Sequence, residues 1–341
     1  MRSWRISYRT HDGYVRRAYV LLPAWYGPHN HPRIPLIVSP HGRGVDARAN
    51  LRLWGGLPAL GPFAVVNPEG QGRRLPLFSW GYWGQIADLA RMPAIVKNAL
   101  PWIRLDRRRT YAVGGSMGAQ EALLLAARHP HLLAGVISFD AATDLAARYR
   151  AFVRIRCRDR CRRLWDAPVG VRLRELARKE VGGSPAQRPY AYAARSPITY
   201  ARSLARSGVA IQLWWSVSDG IVVDQRRESG RLFDRIRRWN PDAPVVEFIG
   251  RWRHTEEMHY SGRLRIALAR FGLLSARDIA RECGMAPGPN DTLHRTDPHT
   301  RPPIACLMFE SHPNRRQPQP WPRPVSDSGS TPTRGAVSTD S

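Results

Sequence analysis

A serine stands among glycines in the stretch GGSMG, residues 114–118. The preceding TYAV (110–113) has the apolar character of a short strand, and AQEALLLAARHP (119–130) has that of a helix. The pattern G-x-S-x-G at such a junction is typical of a nucleophile elbow, where small residues two before and two after the serine avoid clashes in a tight turn. The sequence therefore predicts Ser116 as a nucleophile, with a plain glycine-rich turn as the alternative.

A nucleophilic serine needs a base and an acid that orients the base, both downstream in this architecture. Asp219 follows the apolar run VAIQLWWS (209–216), and His254 lies on the loop after VVEFIG (245–250). Because the carboxyl ends of parallel strands meet at one edge of a sheet, both side chains are expected on the same rim as Ser116. The predicted triad is Ser116, Asp219 and His254.

Other residues remain open as alternatives to two members of this triad. Asp140 and Asp144 follow the strand-like run AGVISFD and are alternative acids, and His259 is an alternative base. His41 precedes a glycine turn, where we expect a supporting role and not general-base chemistry.

An oxyanion hole requires two backbone N–H groups directed at one point. In SPHGRGVD (39–46), glycines flank Arg43 and permit the turned backbone that presents an amide. We expect the N–H groups of Arg43 and Met117 to form the hole, with Gly42 and Gly44 as alternates for the first donor.

An aromatic stretch, FSWGYWGQ, follows the fourth strand-like run and contains Trp80, Tyr82 and Trp83. These rings are predicted to line a substrate pocket for an aromatic or apolar group, with burial beneath the loop as the alternative.

Strand-like and helix-like segments alternate along most of the chain, which predicts an α/β fold. We expect an eight-stranded, mostly parallel sheet that begins with an antiparallel hairpin and is flanked by helices. The eight predicted strands are 3–8, 14–23, 34–40, 63–70, 110–113, 134–140, 209–216 and 245–250. Helices are predicted over 86–103, 117–129 and 225–239, the last with Leu232, Phe233, Ile236 and Trp239 on one face.

Three regions are predicted along the chain. Residues 1–280 form the catalytic domain, and 141–205 form a helical insertion, or lid, between the sixth and seventh strands. Residues 281–341 are rich in Pro, Ser, Thr and Gly and are predicted to be disordered.

The chain is strongly basic, with 53 Lys+Arg against 27 Asp+Glu and a formal charge of +26, and only Lys97 and Lys179 are lysines. The densest run is RIRCRDRCRR (154–163), but no basic helix or aromatic RNA-binding motif accompanies it. We interpret the many arginines as a composition bias, with their charges scattered over solvated faces. A nucleic-acid partner is therefore not expected.

Cys157 and Cys161 could form a local disulfide after export or remain thiols in the cytosol, and no metal site is expected from them. Residues 1–10 lack the apolar core of a signal peptide, and no stretch has the roughly 18 apolar residues of a membrane span. As written, the chain is predicted to be cytoplasmic, although a true start upstream could supply an export signal.

The motifs HGRG, GGSMG and SVSDGIV and the His254 loop together resemble those of the α/β-hydrolase superfamily over about residues 1–275. The HG-type turn after the third strand and the D-x-x-V after the seventh are most similar to the prolyl-oligopeptidase-like branch and to the esterase-D and feruloyl-esterase-like branches. This resemblance implies the fold, the triad and the absence of a cofactor. The lack of the N-terminal propeller of prolyl oligopeptidases favours an esterase or small exopeptidase over an endopeptidase.

The resulting hypothesis is a carboxylesterase-like serine hydrolase that cleaves a small-molecule ester through an acyl-enzyme. The alternative is a prolyl-oligopeptidase-like serine peptidase that acts on short peptides. Two other classes remain, a non-catalytic binding protein of hydrolase fold and a basic nucleic-acid-associated protein. The sequence leaves the oligomeric state open.

Overall fold

A computed structural model of the chain describes residues 1–70, 80–155, 169–259 and 263–275. It contains one eight-stranded sheet, and each of its strands lies at a position where the sequence predicted one. The strands are β1 Arg2–Arg9, β2 Val15–Leu22, β3 Ile34–Val38, β4 Ala64–Pro68, β5 Leu105–Gly115, β6 Gly135–Phe139, β7 Ala210–Ser216 and β8 Val245–Gly250. The predicted tail, 281–341, and both Cys157 and Cys161 lie outside the described residues.

The strand order across the sheet is β1-β2-β4-β3-β5-β6-β7-β8. β2 runs antiparallel to both β1 and β4, and all other neighbouring pairs are parallel. Every residue of β3, β4 and β6 is buried, as expected for parallel strands covered on both faces. At the edge, β1 instead alternates between buried and exposed residues over its second half.

Helices cover both faces of the sheet. The α-helices among the described residues are α1 Ala47–Trp54, α2 Leu57–Leu60, α3 Trp83–Ala99, α4 Met117–Arg128, α5 Leu145–Ala151, α6 Val169–Val181, α7 Pro189–Ala194, α8 Ala201–Arg206, α9 Ser229–Trp239, α10 Glu256–His259 and α11 Arg263–Arg270. Apolar side chains of α3, α4, α8 and α9 pack in one core, and those of α1, α2 and α11 pack in another. The sheet is therefore a middle layer, and its carboxyl-end rim is left for loops.

The helix α9 differs in part from its predicted apolar face. Leu232 and Ile236 are fully buried and Phe233 is partly buried, but Trp239 is 55% exposed. Trp239 lies in the last turn, where its ring is covered by the guanidinium of Arg202 at 4.9 Å. Helical periodicity predicts which residues share one face of a helix. It does not show whether neighbouring elements cover that face as far as the last turn.

The region between β6 and β7 consists of helices and short 3₁₀ turns. Helices α5, α6 and α7 share a third apolar cluster with Trp80 and Met117, next to the elbow. Helix α8, at the end of the predicted insertion 141–205, instead packs in the main core through Leu204 and Ala205. No helix in the described part of the chain is long and apolar enough to cross a membrane.

Candidate active site

Ser116 lies on a sharp turn between β5 and α4. Its backbone has φ 57° and ψ −121°, a conformation that L residues other than glycine rarely adopt. The turn is held because Ser116 N–H donates to the Phe139 carbonyl at 2.8 Å and the Ser116 carbonyl accepts from Gln120 N–H at 3.0 Å. The Ser116 side chain remains partly exposed at the end of the strand.

The glycines two residues before and after Ser116 are both required by close backbone approaches. A Cβ on Gly114 would lie 2.4 Å from the Gly118 carbonyl carbon. One on Gly118 would lie 2.2 Å from the Pro40 carbonyl oxygen. Backbone atoms cannot yield as a flexible side chain would, so the G-x-S-x-G spacing is explained by packing at this turn.

His254 and Asp219 are joined by a hydrogen bond at the same rim. His254 Nδ1 lies 2.8 Å from Asp219 Oδ2, in a pair that is nearly buried. The other oxygen, Asp219 Oδ1, accepts from the backbone N–H groups of Ile221 and Val222 at 2.8 and 2.9 Å. Asp219 is thus fixed by its own loop and can in turn fix the orientation and tautomer of the imidazole.

The electrostatics of this pair favour a charged imidazolium beside a carboxylate. Burial alone would raise the pKa of Asp219, but the neighbouring His254 and the N–H donors hold it below its usual value. Burial alone would lower the pKa of His254, but the carboxylates of Asp219 and Asp140 raise it overall. An imidazole stabilised in this way accepts a proton readily.

Asp140, an alternative acid in the sequence prediction, has other partners. It is fully buried, its Oδ2 accepts from Trp252 Nε1 at 2.9 Å and Thr255 N–H at 2.8 Å, and its Oδ1 accepts from Ser216 N–H at 2.9 Å. Burial and the nearby Asp219 raise the pKa of Asp140 to about 6. Because Trp252 and Thr255 flank His254 in sequence, Asp140 anchors the loop that carries the imidazole.

The two remaining alternatives are Asp144 and His259. Asp144 caps helix α5 by accepting from Ala147 N–H at 2.9 Å. His259 ends α10, and its side chain lies outside the described part of the structure. Asp140, Asp219 and His254 bring possible metal-ligating atoms within 4.8 Å of one another, but the carboxylate oxygens already accept N–H groups, and His254 Nδ1 is bonded to Asp219.

His41 supports the glycine turn after β3. Its Nδ1 donates to the Gly42 carbonyl at 2.9 Å, and its Nε2 accepts the Gly70 N–H at 3.0 Å. Burial lowers the pKa of His41, which keeps the imidazole neutral for these two bonds. The ring therefore ties the turn to the end of β4.

The turn itself lies against the elbow. A Cβ on Gly42 would be 3.5 Å from the Gly115 carbonyl oxygen and 3.8 Å from Ser116 Cβ, and Gly44 has φ 86°. Arg43 lies between these glycines, and Met117 is the first residue of α4. The predicted amide donors, Arg43 and Met117, are therefore on the two segments that flank Ser116.

Two cavities adjoin Ser116, and both are also lined by His254 and Arg43. The smaller, about 90 Å³, extends towards Asn50, Leu53 and Met258. The larger, about 150 Å³, has apolar walls supplied mainly by the insertion and by the loop after β7. These wall residues include Trp80, Phe152, Val169, Leu173, Ile221 and Val222. A separate open groove of about 680 Å³ lies on the insertion beside Arg178 and Arg188, and no residue of the predicted triad lines it.

The three aromatic residues after β4 have different surroundings. Trp80 is buried and lines the larger cavity. Tyr82 and Trp83 pack around His11, with ring centroids 5.7 and 5.1 Å from it, and Trp83 is 57% exposed. Neither of these two rings lines either of the two cavities described beside Ser116.

Sequence reasoning did not single out Arg148, which also lines the larger cavity and is only 1% exposed. The sequence contained one signal, because Arg148 lies nine residues after β6, in the segment that leaves the carboxyl-end rim. Among so many arginines, that position alone was not distinctive.

Ser116 and His254 face common cavities, but no hydrogen bond joins them among the described residues. In serine–histidine pairs this bond is often long without substrate and shortens in the complex. The arrangement at the carboxyl-end rim thus has a strained serine, a carboxylate-oriented imidazole and two candidate amide donors.

No protein-family model matches the sequence, and no curated protein matches it in sequence. In structure, the chain is similar to Pyrococcus horikoshii acylaminoacyl peptidase, with a TM-score of 0.56 and 16% identity over 80% of this chain and 40% of that one. It is also similar to Porphyromonas gingivalis dipeptidyl peptidase 4, with a TM-score of 0.54 and 14% identity over 80% of this chain and 34% of that one.

These likenesses and the sheet order identify the architecture, and the chain has the α/β-hydrolase fold. It spans between a third and two-fifths of the length of the two structures.

Proposed function

We propose that the protein is a serine hydrolase with Ser116 as nucleophile, His254 as general base and Asp219 as the acid that orients His254. His254 Nε2 takes the Ser116 proton while Oγ attacks a substrate carbonyl carbon. The imidazolium then protonates the leaving group, and the acyl-enzyme is hydrolysed by a water that His254 activates. The N–H groups of Arg43 and Met117 hold the oxyanion in both steps. No cofactor takes part in this scheme.

One observation carries the proposal. His254 Nδ1 is 2.8 Å from Asp219 Oδ2, and this oriented imidazole lines the same two cavities as a serine held at φ 57°. A serine in an ordinary glycine-rich turn has no reason to combine backbone strain with such a neighbour.

The helices of the insertion form part of the substrate site in this proposal. Arg148, Phe152, Val169 and Leu173 belong to the segment between β6 and β7, and all of them line the larger cavity. The insertion thus acts as a lid that determines which groups fit beside Ser116.

For the scissile bond, a peptide or acyl-amino amide is the first candidate. Both similar structures are peptidases by name, which supports the peptidase alternative over the ester that the sequence-based hypothesis placed first. Ester hydrolysis is the second candidate, because the cavities beside Ser116, about 90 and 150 Å³, suit small acyl and leaving groups. The substrates proposed are accordingly short peptides or small acyl compounds.

A fluorophosphonate probe tests the nucleophile. The wild-type protein should be labelled, Ser116→Ala should not, and Ser218→Ala, an exposed serine next to Asp219, should be labelled as the wild type is. Equal labelling of Ser116→Ala, or no labelling of folded wild type, would show that the assignment is wrong.

The bond class is tested by kinetics on paired substrates with the same acyl group. Acyl-aminoacyl and dipeptidyl p-nitroanilides are compared with the corresponding p-nitrophenyl esters. Measurable anilide hydrolysis that is lost in Ser116→Ala supports the peptidase assignment. Turnover of the esters alone supports the second candidate.

A further inference from the structure

Arg148 is a buried cation whose hydrogen-bonding capacity is largely unused. Its Nη1 donates to the Val223 carbonyl at 3.0 Å, but Nε and Nη2 are buried without a hydrogen-bond partner among the described residues. Buried donors on a charged group are costly when left unpaired, and native structures leave few of them. The described residues therefore leave two donors of this guanidinium without an acceptor.

The position of these donors points to the substrate. Arg148 lines the 150 Å³ cavity together with Ser116 and His254. Trp80 lines the same cavity, and its indole Nε1 is likewise buried without a partner in the described part of the chain. The cavity thus combines apolar walls with two lining residues that carry unpaired donors.

The charges around Arg148 leave room for an anion. Glu228 Oε1 lies 3.8 Å from Arg148 Nη1, too far for a hydrogen bond. Glu228 Oε2 accepts instead from Thr143 N–H, Thr143 Oγ1 and Asp144 N–H at 2.8 to 3.1 Å. Burial lowers the pKa of Arg148, and the carboxylates of Glu228, Asp219 and Asp224 oppose this shift.

Two of these acidic partners compensate the guanidinium charge weakly. Burial raises the pKa of Glu228 to about 7, and its Oε2 is occupied by three donors other than Arg148. Asp219 is paired with His254. The planar guanidinium therefore retains both its charge and two donors for a planar acceptor.

We infer that the larger cavity binds a substrate group that is apolar along its length and ends in a carboxylate, with Arg148 Nε and Nη2 donating to the carboxylate oxygens. This inference rests on the proposed function, because it places the group beside the nucleophile Ser116. A cavity of about 150 Å³ with apolar walls is known to hold a benzene-sized group. The substrate class is thus an acyl compound or short peptide with a carboxylate a few atoms from the scissile carbonyl.

The experiment compares matched substrates in pairs. On the acyl side, p-nitrophenyl hydrogen glutarate is paired with p-nitrophenyl valerate, which has the same chain length without the carboxylate. On the leaving-group side, 4-acetoxybenzoate is paired with 4-acetoxybenzamide. In one of these pairs kcat/KM should be about 10- to 100-fold higher for the carboxylate member, the range expected for hydrogen bonds to a charged group.

Variants assign that preference to Arg148. Arg148→Gln should lower kcat/KM for the carboxylate member more than for its neutral partner and so remove the preference, while the fluorophosphonate still labels Ser116. Arg148→Lys keeps the positive charge but lacks the planar pair of guanidinium donors. This variant should therefore retain only part of the preference for the carboxylate substrate. The matched control is Arg195→Gln, a buried arginine that stacks on Tyr82 and lines neither cavity beside Ser116, and it should keep the preference.

A folding defect is handled by a second variant. If Arg148→Gln is unstable because Glu228 loses its cation, the double variant Arg148→Gln/Glu228→Gln removes both charges and is tested in its place. A uniform loss on both members of each pair, or an unchanged ratio, would overturn the inference and leave Arg148 as a structural residue.

Failure of the proposed function is distinguished by a binding measurement. Calorimetry compares 3-phenylpropionate with 3-phenylpropanamide on wild type and on Arg148→Gln. One outcome is that the fluorophosphonate fails to label Ser116 while 3-phenylpropionate binds to wild type and not to Arg148→Gln. That result would support the carboxylate site and contradict the proposal that the protein is a serine hydrolase. Equal binding of acid and amide, with labelling intact, contradicts the carboxylate site alone.

Discussion

The two walls of the site are built in different ways. On the sheet side, the polar groups of Asp219 and Asp140 are matched by donors from their own and neighbouring loops. On the opposite wall, Arg148 of the insertion and Trp80 of the segment after β4 keep buried donors that no described residue satisfies. Polar groups whose hydrogen bonds are all made within the protein are held in fixed positions, which suits catalysis. Buried donors without a protein acceptor can instead bind a ligand, which suits substrate selection.

The residues proposed for catalysis and those proposed for substrate selection also come from different parts of the chain. The groups proposed for chemistry are at the ends of β5, β7 and β8, held by the parallel sheet. Those proposed for substrate selection are mostly on helices between β6 and β7. Substitutions on the sheet side should therefore lower the rate on all substrates, and substitutions on the insertion side should change the ranking among them.

The largest effect is expected for Asp219→Asn. The amide oxygen can still accept from Ile221 and Val222, but His254 then loses the carboxylate that fixes its tautomer, which costs about 10⁴ in kcat in triads of this kind. Steady-state kinetics on the best substrate would measure it. Asp224→Asn, on the same loop but paired with the exposed Arg227, is the control and should retain activity. A loss below tenfold for Asp219→Asn would indicate that another group orients the base.

Asp140→Asn should have a smaller effect on rate together with an effect on stability. An amide cannot accept from Ser216, Trp252 and Thr255 at once, so at least one buried donor is left unmatched, at about 1–3 kcal/mol. We expect a decrease of that size in the free energy of unfolding, measured with urea, and about a 10- to 100-fold lower kcat/KM as the His254 loop loosens.

Asp144→Asn provides the comparison for Asp140→Asn, because asparagine also caps helices well and the change should be small in both measurements. If Asp140→Asn reduced activity as strongly as Asp219→Asn, with stability intact, Asp140 would have to be considered a member of the triad.

The sheet could be predicted from sequence because its strands are short apolar runs bounded by proline, glycine or charged residues. β3 and β4 are such runs, and both are buried throughout. Helices α1, α2 and α11 were not predicted. They have four to eight residues each, too short for apolar periodicity to stand out, and they are stabilised by packing on the second face of the sheet.

The site was predictable to the extent that it follows strand ends. Ser116 directly follows β5, and Asp219 and His254 lie three and four residues after β7 and β8, so their common rim follows from a parallel sheet. The role of Asp140 depends on the loop after β8 returning over the end of β6, a contact 115 residues apart in sequence. The unmatched donors of Arg148 depend on tertiary burial, which no local pattern records.

Trp80 and Trp83 lie three residues apart but have different surroundings. Trp80 forms part of the wall of the larger cavity, whereas the ring of Trp83 is exposed. Trp80→Ala should raise KM about 10-fold for substrates with an apolar group, because the larger cavity loses one of its walls. Trp83→Ala should change kcat/KM less than twofold, since that ring packs on His11 and lies outside the cavities beside Ser116. Equal effects of the two substitutions would mean that the aromatic segment acts as one unit.

The smallest expected effect is on the pH dependence of the rate. General-base catalysis needs neutral His254, and its pKa is raised by Asp219 and, to a lesser extent, Asp140 despite the opposing effects of burial and of the Arg148 charge. The rate should therefore rise with pH through a midpoint above 6.5, the ordinary histidine value, and be below half its maximum at that pH.

Variants on the two walls should move this midpoint differently. Asp140→Asn removes a negative charge that favours the imidazolium, so the midpoint should move to lower pH, as measured from kcat/KM between pH 5 and 9. Glu228→Gln removes a buried carboxylate that lies after β7 and contacts Arg148 of the insertion. Glu228 is not among the groups that shift the pKa of His254, although Arg148 lowers it, so the midpoint should move less than in Asp140→Asn. A comparable displacement in Glu228→Gln would mean that the insertion acts on the base as well as on the substrate, and the division between the two walls would no longer hold.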